Sequence, residues 1–453
     1  MVAIMLKSVL FALVPLWAVE PGTRPSQSVA AFGVTDRPRL DWPLREGYRR
    51  IYPDKVVVLS PRYAPGGCRS DGPVLTYAGG RVEAIHPFKG QPMWPAAVVV
   101  EAEPVLLETD HERCLLASPR RVYSLASADG SVQWSYGDDA PDDPLADPES
   151  QPALREMVVA GEVLVVASGS DLIGLDRSDG AVRWRKGLES APVFVRAADR
   201  GDTVLCITRG GRRVRLLTIA ANTGRLLAES TWEEADPPAA LWPLDGQACA
   251  VAFSGAFWLV DRRAERPAIR ITAAQSLRTA GLHAAGGGLV VVAGDGSVEC
   301  FRPGFKEARW TYRIPRSWEN TLWSDADDRS VVVAAGRTVV ALDALSGRLR
   351  WRQRLPELVV DLELTLVADS LLICRRDAEL MNGAGARRYR LQRLDLGDGR
   401  YAGVVHGGDL LTPPVSSFGG MFVREGALIL LDGRTLIGYV QAGNDRPPRS
   451  GTD

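Results

Sequence analysis

A short pattern recurs along this chain and constrains its fold more than any other feature. In each copy an aliphatic residue stands five positions before a glycine, and a tryptophan stands four positions after it. The four clearest copies occupy residues 85–94, 125–134, 175–184 and 342–351. A pattern that returns after about forty residues is typical of stacked or radial repeat proteins. The repeat indicates how the chain is built, whereas function has to be argued from individual sites.

Each copy is predicted to form a β-hairpin. In the last clear copy, residues 338–342 are apolar and largely β-branched, as strands are. Asp343, Ser346 and Gly347 are turn residues, because Asp and Ser bond to nearby backbone and Gly accepts a positive φ. Polar and apolar residues then alternate up to Trp351, which indicates a half-buried second strand. We expect the tryptophan to pack against the neighbouring sheet.

Weaker copies continue the same register. They are centred on Gly224, Glu265, Lys306, Gly399 and Gly433. Ala228 stands where the first of these would carry tryptophan, whereas Trp310 follows Lys306 at the expected distance. The strand pattern persists where the glycine is lost. The chain therefore carries eight clear registers and a ninth, shortened one.

These registers predict an all-β fold, an eight-bladed β-propeller of four-stranded antiparallel blades. Seven or nine blades stay open as alternatives. The ninth hairpin is either the seam at which the two termini complete one blade, or a sign that one register is not a blade. No stretch has sustained helical periodicity, which excludes helix-pair solenoids, and leucine-rich repeats are too short for this spacing.

The pattern in residues 172–184 and 339–351 resembles the pyrroloquinoline-quinone (PQQ) repeat. That repeat builds quinoprotein alcohol dehydrogenases and outer-membrane assembly factors of the BamB type. The resemblance runs in degraded form from Val74 to Val440, and it implies the propeller. It does not imply quinone binding, because the repeated residues form a turn and a packing contact.

The rest of the chain divides around the repeats. Residues 1–19 are predicted to be a signal peptide, since Lys7 precedes an apolar run over residues 9–19. An uncleaved membrane tether is the alternative. Residues 20–50 are predicted to be an irregular linker or strap before a first strand at residues 56–59, residues 51–442 the propeller, and residues 443–453 a disordered tail. We expect a periplasmic or extracellular protein without an integral span once the signal is removed.

Charge and cysteine usage narrow the function further. The formal net charge is −1 and no basic run occurs, which argues against nucleic acid as a partner. The six cysteines form no Cys-x-x-Cys motif, so zinc and thioredoxin-like chemistry have no support. Cys206, Cys249 and Cys300 lie in apolar strand contexts and are predicted to be buried free thiols. Oxidation of Cys68 with Cys114 stays open.

A PQQ-dependent dehydrogenase is the alternative to a binding protein. The resemblance implies an adjacent cysteine pair, a Glu/Asn/Asp metal set and a catalytic Asp in such enzymes. No two cysteines are adjacent here, and asparagine occurs only at positions 222, 320, 382 and 444. We therefore assign no catalytic residue and no metal ligand, leave cofactor-binding residues unknown, and regard PQQ and Ca²⁺ as possible but unsupported. An enzyme is the less favoured interpretation.

Further acidic, histidine and tryptophan side chains have the residue types that metal or binding sites use. The acidic stretches at residues 138–149 and 325–328 are interpreted as solvated surface loops rather than Ca²⁺ sites. His86 stands where other copies carry Asp and is interpreted as a turn residue. His111, His283 and His406 offer no ligand spacing. Trp318 and Trp323 bracket a predicted loop, and either form a binding surface or fold onto the ring.

The most economical hypothesis is an exported binding scaffold. Propellers present two faces of loops and a central channel to their partners. We expect a protein or peptide partner and a monomeric chain. The resemblance to the BamB type implies a role in envelope assembly. A small-ligand-binding propeller is kept with the dehydrogenase as an alternative.

Overall fold

The computed structural model describes the chain from residue 44 to residue 441, with gaps. The described ranges are 44–52, 56–59, 72–100, 102–109, 112–137, 154–198, 201–244, 248–253, 256–263, 269–272, 279–293, 295–314, 322–355, 359–367, 370–377, 389–406, 421–424, 426–432 and 435–441. The predicted signal peptide, the acidic stretch at residues 138–149 and the predicted tail lie outside them. Within these ranges every regular element is a β-strand.

The strands form nine antiparallel sheets of four, here called blades 1 to 9. Blade 1 contains β2 (Val57–Leu59), β3 (Val74–Ala78), β4 (Arg81–Ile85) and β5 (Val98–Val99). Blade 2 contains β6 (Val105–Thr109), β7 (Arg113–Ala117), β8 (Arg121–Ala126) and β9 (Val132–Gly137). Blade 3 contains β10 (Leu154–Ala160), β11 (Val163–Ser168), β12 (Asp171–Asp176) and β13 (Val182–Gly187).

The middle blades follow the same order along the chain. Blade 4 contains β14 (Pro192–Ala198), β15 (Thr203–Gly210), β16 (Arg213–Ala220) and β17 (Leu226–Glu233). Blade 5 contains β18 (Ala240–Pro243), β19 (Ala248–Ala252), β20 (Ala256–Asp261) and β21 (Ile269–Thr272). Blade 6 contains β22 (Thr279–Ala285), β23 (Gly288–Ala293), β24 (Ser297–Phe301) and β25 (Ala308–Arg313).

The last three blades include the two ends of the described chain. Blade 7 contains β26 (Leu322–Ala326), β27 (Ser330–Ala335), β28 (Thr338–Asp343) and β29 (Leu349–Arg354). Blade 8 contains β30 (Val359–Val367), β31 (Ser370–Asp377), β32 (Tyr389–Asp395) and β33 (Tyr401–His406). Blade 9 contains β34 (Met421–Arg424), β35 (Ala427–Asp432) and β36 (Thr435–Gln441), and its outermost strand is β1 (Leu44–Ile51).

The fold is thus a β-propeller with nine blades, one of the open alternatives, rather than the preferred eight. The ninth hairpin is the seam, because β1 from the start of the described chain pairs with β36 from its end. Arg50 of β1 also reaches blade 1, where its guanidinium lies 2.7 Å from the Glu83 carboxylate. The first strand therefore lies at residues 44–51, partly inside the segment expected to be irregular.

Side-chain burial distinguishes the strands of a blade. The first strands of neighbouring blades contact one another, as β10 does with β14, so these strands line the central channel. The second strands are almost fully buried, and the outermost strands expose most of their side chains. Apolar clusters join eight successive pairs of blades within the described residues, including blade 9 to blade 1.

The repeated tryptophan docks one blade onto the next. The indole N–H of Trp184 in blade 3 donates to the Ala221 carbonyl of blade 4 at 2.7 Å, and the ring lies against Gly224. The same contact, with the acceptor three residues before the glycine, is made by five tryptophans: Trp94, Trp134, Trp184, Trp310 and Trp351. Within one repeat, the tryptophan therefore contacts the following blade, whereas the glycine contacts the tryptophan of the preceding blade. The predicted inter-blade packing is confirmed.

Blade 4 lacks this tryptophan and is attached to blade 5 by other groups. Thr218 lies opposite Ala228, and its hydroxyl donates to the carbonyl of Arg262 at 2.9 Å. Arg262 is three residues before Glu265, so the same position of the turn accepts the hydrogen bond. This contact is consistent with the sequence. Ala228 replaces the tryptophan of blade 4, and Glu265 replaces the glycine that the tryptophan would contact.

Candidate functional site

The turns of each blade define two faces of the ring. The turn between the first and second strands lies beside the turn between the third and fourth strands, as the Arg177 N–H bonded to the Glu162 carbonyl at 3.0 Å shows in blade 3. Equivalent backbone bonds join Ser127 to Glu112 in blade 2 and Ala344 to Arg329 in blade 7. We call the face formed by these turns the hairpin face.

Exposed apolar side chains concentrate at the outer rim of the hairpin face. Five of them occupy one register, two residues after the turn glycine and at the start of an outermost strand, and each is 40–54% exposed. This set, called the rim row, consists of Val132, Val182, Leu226, Leu349 and Tyr401. Leu227, Phe305 and Leu345 are exposed in the same turns and strand starts.

This concentration sets the rim apart from ordinary surface. Of eleven exposed large hydrophobic side chains among the described residues, eight lie in these turns or strand starts. Single exposed hydrophobic side chains are normal, and contiguous apolar patches mark interaction surfaces. The rim row places one such side chain on each of blades 2, 3, 4, 7 and 8, at the same edge of the ring. The rim row is our candidate functional site.

The turns beside the rim row carry ionised carboxylates. In blade 3, Asp176 accepts hydrogen bonds from the Ser178 hydroxyl and backbone N–H, and these bonds with those from Arg183 lower its pKa to about 2. A hydrogen bond from the Ser131 hydroxyl lowers the pKa of Asp129, and one from Ser346 lowers that of Asp343. At neutral pH the hairpin face therefore places ionised carboxylates next to apolar side chains, and Asp176 among them is paired with Arg183 at 2.6 Å.

Polar side chains on the strands that line the central channel bond to side chains of the neighbouring blade. In the first strand of blade 6, His283 Nε2 lies 2.8 Å from the Ser324 Oγ of blade 7. Burial lowers the pKa of His283 to about 4, which keeps the ring neutral. Gly281 makes room for this pair, because a Cβ there would lie 2.0 Å from Ser324 Oγ. On the other side of the ring, Arg196 pairs with Glu156 at 2.6 Å.

Among the described residues, no third group of the kind found in a catalytic triad bonds to the His283 and Ser324 pair. Within the described residues His283 Nδ1 is buried and has no hydrogen-bond partner. Asp325, the next residue after Ser324, accepts a bond from the Leu366 N–H of blade 8 at 2.8 Å. The two hydrogen bonds therefore join blades 6, 7 and 8 to one another and leave no carboxylate to orient the imidazole.

The environment of Asp325 differs from the sequence prediction. The stretch at residues 325–328 was predicted to be a solvated loop, but Asp325 lies in β26 and is 7% exposed. It is buried because its carboxylate bonds to the backbone of the neighbouring blade. Asp327 does lie in a turn, where it accepts the N–H groups of Arg329 and Ser330.

The structure describes two of the remaining candidate residues, His86 and Trp323. His86 is a turn residue as predicted, and its Nδ1 accepts the Phe88 N–H at 3.2 Å as Asp does in other turns. Trp323 lies in β26 and packs on the apolar cluster between blades 7 and 8, so it folds onto the ring; Trp318 is outside the described residues. His111 is also outside them, and the side chain of His406 is not described.

The cysteine predictions are confirmed where the structure describes them. Cys206, Cys249 and Cys300 are buried free thiols, and Cys114 is a buried free thiol as well. Cys68, the open partner of Cys114, lies outside the described residues. No group of three or more His, Cys, Asp or Glu side chains that could hold a metal ion occurs within the described part of the chain.

Sequence reasoning missed the rim row. Its signal was present in the repeat itself, because an apolar residue recurs two positions after the glycine. Alternation in the outer strand predicts half-burial, so the pattern alone does not mark these positions as exposed. The His283 and Ser324 pair had no such signal, since the two residues are joined only by the packing of neighbouring blades.

No helix in the described ranges is long and apolar enough to cross a membrane. Comparison with the curated proteins gives no match. Among solved structures, the chain is similar to BamB from Moraxella catarrhalis, with 14% identity, 78% of this chain and 100% of that chain covered, and a TM-score of 0.44.

Two other solved structures have a similar arrangement. The computationally designed protein Ika8 is 11% identical, with 86% of this chain and 98% of that chain covered and a TM-score of 0.46. The C-terminal WD40 domain of Sif2 is 8% identical, with 74% and 93% covered and a TM-score of 0.44. The family model described as outer membrane protein assembly factor BamB matches residues 55–312 and 309–443. The chain therefore belongs to the BamB-like family of PQQ-repeat β-propellers.

Proposed function

We propose that this protein is an exported binding scaffold that holds protein or peptide partners on its hairpin face and takes part in envelope assembly. The observation that carries the proposal is the rim row, five exposed apolar side chains in one register beside turns with ionised carboxylates. A partner would bury these side chains.

Two further features support export and envelope assembly. The family model carries the description of an outer membrane assembly factor. Residues 1–19 have the basic start and short apolar run of a secretory signal. The signal implies passage across the inner membrane, after which the propeller folds in an oxidising compartment with buried thiols.

Site-specific crosslinking tests the proposal. A photo-crosslinking amino acid at Val182 should capture partner chains in intact cells, whereas the same group at Val99 should not. Val99 is the matched control because it is 73% exposed on the outermost strand of blade 1 but does not belong to the rim row. Equal capture at the two positions would contradict a specific binding face.

Substitution of the rim row gives the functional readout. The substitutions Val132→Ser, Val182→Ser and Leu226→Ser are combined in a variant that carries the crosslinking probe at Leu349. If one partner spans the ring, this variant should lose the crosslinked products of that probe. Partner loss without a change in Tm would assign the effect to binding. Fractionation of the cells places the protein, and a cytoplasmic location would refute the exported role.

A further inference from the structure

The outermost strand of blade 7 carries three exposed arginines and no acidic residue. They are Arg350, Arg352 and Arg354 on β29. Arg350 is already engaged, because its guanidinium donates to the Ser330 hydroxyl at 2.7 Å and lies 4.0 Å from the Asp343 carboxylate. Within the described part of the chain, the guanidinium groups of Arg352 and Arg354 make no ion pair and no hydrogen bond. We call these two residues the arginine pair.

The strand register places the arginine pair on the side of blade 7 that faces blade 6. Arg352 lies opposite Val340 on β28, and Arg354 lies opposite Thr338. Directly opposed residues of antiparallel strands share a face of the sheet, and Val340 belongs to the apolar cluster between blades 6 and 7. Tyr312 of blade 6 packs against the same cluster. The outer edge of this interface therefore presents a tyrosine and two arginines.

Blade 3 has an arginine in the same register, but there it has a carboxylate beside it. Counted from the turn glycine of each repeat, Arg185 corresponds to Arg352. A guanidinium nitrogen of Arg185 lies 4.0 Å from a carboxylate oxygen of Asp171 in the same blade. Blade 7 has Thr338 where blade 3 has Asp171. The arginine of blade 7 therefore lacks the counterion that its equivalent in blade 3 has.

The second arginine increases this difference. Arg354 stands where blade 3 has Gly187, the residue that lies opposite Asp171. Blade 7 thus carries two positive charges where blade 3 carries one positive and one negative charge. Carboxylates supplied by another chain would restore at blade 7 the pairing that blade 3 contains internally. Arginine suits such a contact, because its planar guanidinium can donate two parallel hydrogen bonds to one carboxylate.

An extended acidic polypeptide matches the spacing of the arginine pair. Arg352 and Arg354 are two residues apart on one strand, which corresponds to about 7 Å. Alternate residues of an extended segment project on one side with the same spacing. Leu349 of the rim row lies on the same side of β29, since it pairs with Leu342 of the cluster between blades 6 and 7. The tyrosine and this leucine give the segment apolar contacts beside the charged ones.

We propose that the arginine pair binds an extended, acidic segment of a partner polypeptide along the outer edge of blades 6 and 7. This rests on the proposed scaffold function and names the chemistry of one part of the partner. Two acidic residues separated by one residue would each contact one guanidinium group. The regular spacing along one strand favours a polypeptide over an anionic lipid surface, whose headgroups have no fixed register.

The first test uses the full chain and a short fluorescent peptide that alternates glutamate with valine. Thr338→Asp places in blade 7 the carboxylate that blade 3 carries at this register, so we expect the fold to accept it. The new carboxylate should pair with the arginines from within the blade and compete with the peptide. Ser135→Asp is the matched control, because it adds the same charge at an exposed position of another outermost strand, β9. Affinity is measured by fluorescence anisotropy, and Tm is measured for each variant.

We expect the wild type and the Ser135→Asp variant to bind the peptide alike, and Thr338→Asp to bind it about fivefold more weakly. Replacing both arginines of the pair by alanine should weaken binding at least about tenfold. Because the contacts are ionic and exposed to solvent, added salt should weaken binding. A peptide with glutamine in place of glutamate should not bind.

A reciprocal substitution tests whether the site can be moved. Asp171→Thr with Gly187→Arg gives blade 3 the residues of blade 7, at an interface where Tyr136 of blade 2 already packs. A Cβ on Gly187 would contact only the Asp171 carboxylate, at 3.7 Å, so a side chain fits there. Introduced into the variant without the arginine pair, these two changes should restore peptide binding.

Three results would overturn the proposal. They are absence of peptide binding to the wild type, equal binding by the wild type and the Thr338→Asp variant, and equal binding of the glutamine peptide. Binding of phosphatidylglycerol vesicles that the glutamate peptide does not displace would assign the arginines to a lipid surface instead. Each result is independent of crosslinking at Val182, so the arginine assignment can fail while the scaffold function holds, and the reverse.

Discussion

The indole ring of Trp184 in blade 3 lies so close to Gly224 of blade 4 that a Cβ on the glycine would meet Trp184 Cε3 at 2.6 Å. Gly224 also has a φ of +66°, in the left-handed region. Two separate demands therefore select glycine at the position that the sequence pattern repeats. One demand is local backbone geometry, and the other is contact with the preceding blade.

These two demands are separable by mutation. We expect Gly224→Ala to lower the free energy of unfolding by about 2–4 kcal/mol, through backbone strain and displacement of the indole. Gly211→Ala is the matched control, since Gly211 has a φ of +62° and nothing within 4 Å of its added Cβ. Its cost should be about 1 kcal/mol, from the backbone alone. Thermal unfolding of both variants measures the difference, and equal losses would mean that the indole contact contributes little.

The interface between blades 4 and 5 gives a second prediction. Thr218→Val removes the hydroxyl that donates to the Arg262 carbonyl and keeps the shape of the side chain. A buried acceptor left without its donor should cost about 1–3 kcal/mol. Thr218→Ser retains the hydroxyl and should recover most of this loss. Denaturant unfolding of the three proteins measures it, and a serine variant as unstable as the valine variant would point to packing instead.

His283 makes stability depend on pH. Its pKa falls from 6.5 to about 4 on folding because the ring is buried. The unfolded chain therefore binds a proton at this site between about pH 6.5 and pH 4, whereas the folded chain does not. The free energy of unfolding should fall as the pH is lowered through this window, by at most about 3 kcal/mol.

The His283→Gln variant checks the assignment. Glutamine can still bond to Ser324 but does not titrate, so the variant should lose less stability than the wild type between pH 6.5 and pH 4. Unfolding free energies are compared at several pH values for both proteins. Parallel curves would show that carboxylates, rather than this histidine, cause the pH dependence in that range.

The buried thiols should be unreactive in the folded protein. Burial raises the pKa of Cys206 and of Cys249 to about 12, so neither is a thiolate at neutral pH. A thiol-specific reagent should modify these two cysteines only after the addition of denaturant. Mass spectrometry of the labelled peptides gives the site of modification. Rapid labelling of Cys249 in buffer would mean that blade 5 opens under native conditions.

The propeller architecture could be predicted from the sequence because the turn and strands of each repeat depend on neighbouring residues. A turn at residues 343–347 between two strands is a property of a few neighbouring residues, and so is the burial of Cys206 or Cys300. The blade count was harder, because blade 9 draws β1 from residues 44–51 and the other three strands from residues 421–441. The pairing of β1 with β36 joins the two ends of the described chain and cannot be predicted from a local sequence pattern.

The functional surface was only partly accessible from the sequence. The rim row follows from the register once the outermost position of its strands is known, but that position is set by the sheet and not by alternation. The bond between His283 and Ser324 joins residues of different blades, and neither has a neighbour in sequence that indicates it. Such contacts arise from the angle between blades, which no single repeat encodes.

The seam in blade 9 has a kinetic consequence. Among the described strands β1 is synthesised first and β36 last, so their pairing has the largest sequence separation of the described strand pairs. Closing so long a loop is slow, and contacts of this kind dominate the folding rates of β proteins. During synthesis or translocation, β1 remains an unpaired edge until nearly the whole chain has emerged. This interval is the period in which the protein is most exposed to aggregation, and in which a chaperone that masks β1 would have the greatest effect.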